Sequence, residues 1–282
     1  MVVRTLALSG ENPPLALLGE FSNRVGMIRG EYLFRGSGYY PTSKEGRENL
    51  HDYLELIARK TVGGEIWYRT TDFDYREASV LSGVEDELAE FRGIRRGLRF
   101  PELLECELSI VSSVQSQYPH LNVMFPFVSQ PREVETALRI ASGVGVGGHF
   151  GIMLETPAVA LCLEDFLLSD VGRVIVGLND LHALTMGITR GAGIKPSWEK
   201  SVERLVSMAR EITRRHGVRL SMAGYLDSQL MDMASRLSVD DVVLHYSQLP
   251  VLLGDSYLSL PDLEVLSITK KRSRDAIKAK VS

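Results

Sequence analysis

Eight short apolar runs recur along the 282 residues, and segments with helical spacing separate most of them. The runs are Val3–Leu8, Val25–Arg29, Glu65–Arg69, Asn122–Val128, Phe150–Glu155, Val174–Asp180, Arg219–Ala223 and Asp241–His245. Between them, helical periodicity is clear over Glu45–Lys60, Pro101–Gln117, Pro131–Gly143, Trp198–His216 and Ser228–Ser238. Near-continuous apolar runs of this length suit strands buried on both faces. A strand, a helix and a second strand form a right-handed crossover that makes the two strands parallel. Eight such units predict an α/β chain folded as a single (β/α)8 TIM barrel, whose functional groups sit at the strand C-terminal ends.

The joins vary in strength. Strand one reaches strand two through a short connection containing Pro13-Pro14, which leaves room only for a helix from Leu15 to Arg24. The span from Thr71 to Phe100 is longer than an ordinary βα loop and rich in charge, so it is expected to reach over the barrel mouth. With no repeat, low-complexity stretch or linker, residues 1–260 read as one barrel and 261–282 as a helical or frayed tail. Its cluster from Lys270 to Lys280 reads as solvated.

A net charge of −4 argues against nucleic acid as the main partner, because phosphate backbones select basic surfaces. No signal peptide and no apolar run near 18 residues is present, so a cytoplasmic chain outside the membrane is expected. Cys106 and Cys162 lie in apolar helical patterns without metal-ligand spacing and are expected to be buried thiols.

What raises this barrel above a generic scaffold is how its strands end. Phe150-Gly-Ile-Met-Leu-Glu155 and Val174-Ile-Val-Gly-Leu-Asn179-Asp180 both run into acid, where an apolar core would exclude it. Two carboxylates one strand apart suit Mg2+ or Mn2+. Strands two and three end in Arg29 and Arg69, and the following loop carries Arg92. Guanidinium forks fit phosphate and carboxylate. Taken singly, each arginine is equally a structural ion pair and each acid equally a helix cap; together they describe a site for a small anion on a divalent cation.

Six segments, in order, carry a family resemblance: Gly26-Met-Ile-Arg29-Gly-Glu-Tyr-Leu-Phe34, Tyr68-Arg69-Thr-Thr-Asp72, Phe91-Arg92-Gly-Ile-Arg95, Asn122-Val-Met-Phe-Pro126, Gly151-Ile-Met-Leu-Glu155-Thr-Pro157 and Gly177-Leu-Asn179-Asp180-Leu181. From about residue 3 to 255 the chain resembles the phosphoenolpyruvate-binding barrel of the PEP-utilising enzymes, among them PEP synthase, pyruvate phosphate dikinase and enzyme I of the sugar phosphotransferase system. The resemblance implies an enzyme binding phosphoenolpyruvate or pyruvate, with Glu155 and Asp180 as Mg2+ (or Mn2+) ligands. It implies that Arg29, Arg69 and Arg92 grip phosphate and carboxylate, that Asn179 contacts substrate, and that Arg190 in Gly187-Ile-Thr-Arg190-Gly belongs to the same set. It further implies phosphoryl transfer with separate phosphohistidine and nucleotide-binding proteins, and a homodimer; the sequence itself offers the apolar run Leu249 to Leu260, which reads either as such a contact or as barrel-closing packing.

One departure stands out. The family's strand-seven end carries a cysteine taken to protonate the enolate carbon, whereas this chain reads Ser221-Met-Ala223-Gly224-Tyr225, with Ala223 at that place. Tyr225, and less so Ser221, is the nearest replacement acid. Loss of the thiol keeps two other readings open: a lyase or bond-forming enzyme acting on a 2-oxo acid enolate, and a catalytically silent barrel, for which a Glu155–Arg92 pair would be the mark. Of the histidines, His182 and His245 fall near the mouth, each read as packing or as a rim acid or base; the rest read as surface or loop residues.

Overall fold

The computed structural model describes residues 2–81, 91–168, 170–188, 199–224, 227–254 and 257–281. Eight strands close into one barrel: β1 (Val3–Leu8), β2 (Val25–Arg29), β3 (Ile66–Arg69), β4 (Leu121–Phe125), β5 (Phe150–Leu154), β6 (Val171–Gly177), β7 (Arg219–Ala223) and β8 (Asp241–His245). Each is parallel to the next, and β8 pairs back onto β1 with Val3 opposite Asp241 and Ala7 opposite His245. The (β/α)8 expectation holds.

Two-residue periodicity sorts each strand into a face toward the helices and a face toward the barrel axis. Leu6, Leu8, Ile28, Tyr68, Leu154, Met222 and Leu244 face outward into the main core beneath the helices. Ala7, Met27, Trp67, Met124, Met153, Ile175 and Val243 face inward and form a separate apolar plug. Below the plug lies a polar storey. Arg173, fully buried, donates to Asp241 Oδ1 at 2.7 Å, to Ser221 Oγ at 2.9 Å and to the carbonyl of Gly26 at 3.1 Å, with Trp67 stacked 5.2 Å from its guanidinium. Burial lowers its pKa to about 10 against the pull of Asp241. Above the plug, the next inward positions are Ser9, Arg29, Arg69, Glu155, Ala223 and His245, and these line the mouth.

The helices start where their caps dictate. Ser43 Oγ accepts from the Gly46 N–H to open Lys44–Lys60, Asp227 accepts from Leu230 to open Ser228–Arg236, and Gln130 with Glu133 makes a capping box on Pro131–Gly143. The first helix is shorter than expected, Leu15–Glu20, because Ser22 and Asn23 take positive φ and turn the chain straight into β2. The fourth run stops at Phe125, since Pro126 follows and Phe127 also has positive φ. In the sixth, β6 ends at Gly177, and Leu178-Asn179-Asp180 form the first turn of the helix Leu178–Met186 rather than the end of a strand.

Val265–Val281 is a helix lying against Gly30–Ser37, where Arg35 Nε donates to Ser273 Oγ at 2.8 Å and Arg272 donates to the carbonyl of Gly36 at 2.7 Å. The two buried thiols expected from the sequence are not found. Cys106 is half-buried with its thiol on the Pro41 carbonyl at 3.1 Å, and Cys162 is exposed, because it sits at the break between the short helices Pro157–Leu161 and Leu163–Phe166. Among the described residues no helix is long and apolar enough to cross a membrane.

Candidate active site

Arg69 is the hub of the mouth. It ends β3 pointing inward and touches three acids: Glu31 Oε1 in hydrogen-bond contact, Glu155 Oε1 at 3.6 Å and Asp72 Oδ2 at 3.9 Å. Burial opposes its charge, but Glu31, Asp72 and Glu155 outweigh that and hold the guanidinium firmly protonated. Glu31 reaches it from the first turn of the helix Gly30–Ser37.

Arg92 enters from the long loop and lies over the Phe127 ring at 4.1 Å. Its Nε and Nη2 donate to the two oxygens of Asp72 at 2.8 and 2.9 Å, a bidentate fork, and Nη1 stands 3.8 Å from Asp180 Oδ1. The fork goes to Asp72, so the Glu155–Arg92 pairing of a closed-down site is not made. Asp72 and Arg92 come from the two ends of the Thr71–Phe100 span, whose described parts include the short helices Tyr75–Ala78 and Ile94–Arg99.

Glu155 follows β5 and is buried, with Oε2 accepting the Phe127 N–H at 3.0 Å. Burial pushes its pKa up to about 8; Arg69 opposes the rise, while Asp180 and Asp72 add to it. Gly177 gives Glu155 room, since a Cβ there would lie 2.5 Å from Glu155 Cγ. The backbone then turns into the helix that carries Asn179, half-buried beside Gly224, and Asp180, buried next to Glu155 and Arg92.

Arg29 lies across the mouth. It donates through Nε to Ser9 Oγ at 2.9 Å, meets His245 Nε2 through Nη2, and stacks on Tyr32 at 4.3 Å. His182 is buried in its helix. Ala223 is inward-facing and packs against the apolar plug. Tyr225 and Arg190 lie outside the described residues.

The structure thus brings Arg69, Arg92, Glu155 and Asp180 together, with Arg29 alongside. Sequence reasoning missed the residues that organise them, namely Glu31, Asp72 and Gly177. Glu31 and Asp72 follow strand-end arginines at two and three residues, and that spacing was the available signal.

Fold and site together define a (β/α)8 barrel with a buried carboxylate and arginine cluster at the C-terminal ends of its strands. The chain belongs to the PEP-utilising enzymes, whose PEP-binding domain matches residues 17–252. Phosphoenolpyruvate synthase of Pyrococcus furiosus is 33% identical over 242 residues, covering 77% of this chain and 30% of that protein. A phosphoenolpyruvate-protein phosphotransferase of Staphylococcus epidermidis is 27% identical over 237 residues, 77% of this chain and 40% of that one. The chain therefore spans about a third of the curated relatives it matches. In fold alone it is also like an HpcH/HpaI aldolase from Desulfitobacterium hafniense, with a TM-score of 0.54 at 14% identity over 98% of this chain and 93% of that one. Haloferax volcanii malate synthase gives 0.55 at 12%, over 86% and 69%.

Proposed function

We propose that the mouth binds phosphoenolpyruvate or pyruvate with Mg2+ (or Mn2+) and stabilises the enolate of pyruvate during phosphoryl transfer, the phosphoryl group moving to or from a separate phosphohistidine protein. The observation that carries this is the convergence of Glu155 and Asp180 with Arg69 and Arg92 inside one buried mouth. The donor set fits a hard divalent cation: the carboxyl of Glu155 is desolvated and crowded by Asp180 and Asp72, and a cation relieves that crowding. Glu155 and Asp180 would hold the metal, with its remaining positions left to ligand oxygens and water; when bound it would polarise those oxygens. Arg69 and Arg92, pre-oriented by Glu31 and Asp72, present fixed positive charge to phosphate and carboxylate without reorganising at the moment of reaction. Oxalate, which mimics the enolate, gives the direct test: oxalate and phosphoenolpyruvate should each raise the unfolding temperature only with Mg2+ present. No protection by either would refute the proposal.

A second reading is favoured by Ala223. An inward alanine has no proton to give to the enolate carbon, so an enolate held here is open to capture by another electrophile in carbon–carbon or carbon–phosphorus bond chemistry. Solvent exchange at C3 of pyruvate separates the two readings. Exchange in the wild type supports enolate protonation, and exchange that appears only after Ala223→Cys supports the second reading.

A further inference from the structure

The side of the mouth opposite Glu155 holds an unresolved conflict of hydrogen bonds. His245 is the inward residue at the end of β8, in phase with Val243 and Asp241 below it. Its Nε2 meets Nη2 of Arg29 and lies 3.5 Å from Ser9 Oγ. A guanidinium only donates, so Nε2 must accept there. The backbone N–H of Ser247 donates to Nδ1 of the same ring at 3.1 Å, which asks Nδ1 to accept as well. A neutral imidazole has one acceptor nitrogen and one N–H, and an imidazolium has no acceptor at all. Ser247 Oγ, 2.6 Å from Nδ1, can take the ring proton only against the backbone donor. Removing Arg29 from Nε2 resolves the conflict: Nδ1 accepts from the backbone and Nε2 carries the proton, facing the mouth.

We propose that Arg29 and His245 form a ligand-operated pair, in which an anionic group entering the mouth draws the Arg29 guanidinium to itself and frees His245 Nε2 to carry a proton toward the ligand. This rests on the proposed function, which supplies the anion as a carboxylate or phosphate. No bond of the ligand breaks in this step. Once Arg29 withdraws, the neutral ring holds its one proton on Nε2, and a second proton, taken from solvent onto Nδ1 and donated in a hydrogen bond to Ser247 Oγ at 2.6 Å, makes the imidazolium that faces the bound anion. The groups facing the ring all keep it neutral before the ligand arrives. Burial is the largest influence, then Arg29 from β2, then Lys270 from the C-terminal helix, and together they lower the imidazole pKa to about 2. The acids on this side, Glu11 and Glu31, act on Arg29. An anion bound to Arg29 cancels the charge that opposes imidazolium formation. Position gives the pair its use, because His245 stands on the strand next to Ala223, which has no exchangeable proton.

The ring can be followed by NMR in the full chain with labelled histidine, using oxalate with Mg2+ as the probe. The His245 signal is identified by its loss in His245→Gln, or in His245→Asn if the first variant does not fold. In the free protein the signal should stay constant between about pH 5 and 8, and with oxalate bound it should titrate inside that window. Calorimetry at about pH 6 in two buffers should show more protons taken up on oxalate binding by the wild type than by His245→Gln. A signal that remains silent with oxalate bound, or that already titrates in the free protein, overturns the pair while leaving the proposed function standing. Failure of oxalate to bind the wild type overturns both.

Discussion

Replacing Gly177 with alanine tests the mouth through one added methyl group. At φ −84 the backbone accepts alanine without strain, so any effect is steric. The new Cβ would lie 2.5 Å from Cγ, 2.8 Å from Oε1 and 3.1 Å from Cδ of Glu155. Carbon contacts are comfortable from about 3.5 Å, so the Glu155 side chain must retreat by about 1 Å. That movement breaks the bond from the Phe127 N–H and shifts Oε1 relative to Arg69. Overpacking of this kind costs about 1–3 kcal/mol, to which the lost hydrogen bond adds about 1 kcal/mol. At about 2–4 °C per kcal/mol for a domain of 150–250 residues, the unfolding temperature should fall by about 5 °C or somewhat more. Mg2+-dependent oxalate affinity should fall too, by about 10- to 100-fold, the usual cost of disturbing the groups that orient a metal-ligating side chain. Scanning calorimetry and titration with oxalate and Mg2+ measure the two effects separately. Gly19→Ala is the control, because nothing lies within 4 Å of its added Cβ. If Gly177→Ala binds oxalate and unfolds as the wild type does, then Glu155 is not confined by Gly177 and the account of the mouth fails.

Glu155→Gln and Asp180→Asn should each abolish Mg2+-dependent oxalate binding measured by calorimetry, whereas Cys162→Ala, an exposed site away from the mouth, should leave it unchanged. Equal effects of all three would mean that the site is misplaced. Asp241→Asn strips the buried Arg173 of its counter-charge and should destabilise the fold by about 3–5 kcal/mol in urea unfolding. Replacing both partners with apolar residues should recover most of that loss. Glu107, buried behind β3, accepts from Tyr68 Oη at 2.6 Å and from the N–H and Oγ1 of Thr71 at 2.9 and 3.0 Å, yet burial pushes its pKa up to about 7 against those three bonds. A raised folded-state pKa favours the native state fully below about pH 4.5, and that advantage is lost as pH rises through about 7. Wild-type stability should therefore decline by about 3 kcal/mol across that interval from this group, and Glu107→Gln should remove that part of the slope. An identical slope in the variant would show that Glu107 does not titrate there.

The barrel was legible because its signals are local. Apolar runs and helical spacing repeat at short range, and Ser43, Asp227 and Gln130 mark helix starts within three residues of themselves. Errors fell where a local rule met a long-range constraint. The sixth apolar run begins at Val174 and so leaves Arg173 out, yet Asp241 and Ser221, from β8 and β7, make burial of Arg173 within β6 possible. The apolar run continues through Leu178 and puts Asp180 at the end of a strand, yet Gly177 turns the chain early and leaves room for Glu155. The apolar neighbours of Cys162 predict burial, yet a break between two short helices faces it outward.

Fold class, family and the ionisable residues at the strand ends follow from periodicity and residue order, and so can be read along the chain. Which residues act on which emerges with the closed barrel. Asp72 orients Arg92, Glu31 steadies Arg69, and burial, with Asp180 and Asp72 beside it, raises the pKa of Glu155. Likewise, Arg29 meets His245 across 216 residues of chain. Charge interactions and desolvation depend on distance in space and on water excluded by the whole closed barrel, and separation along the chain encodes neither.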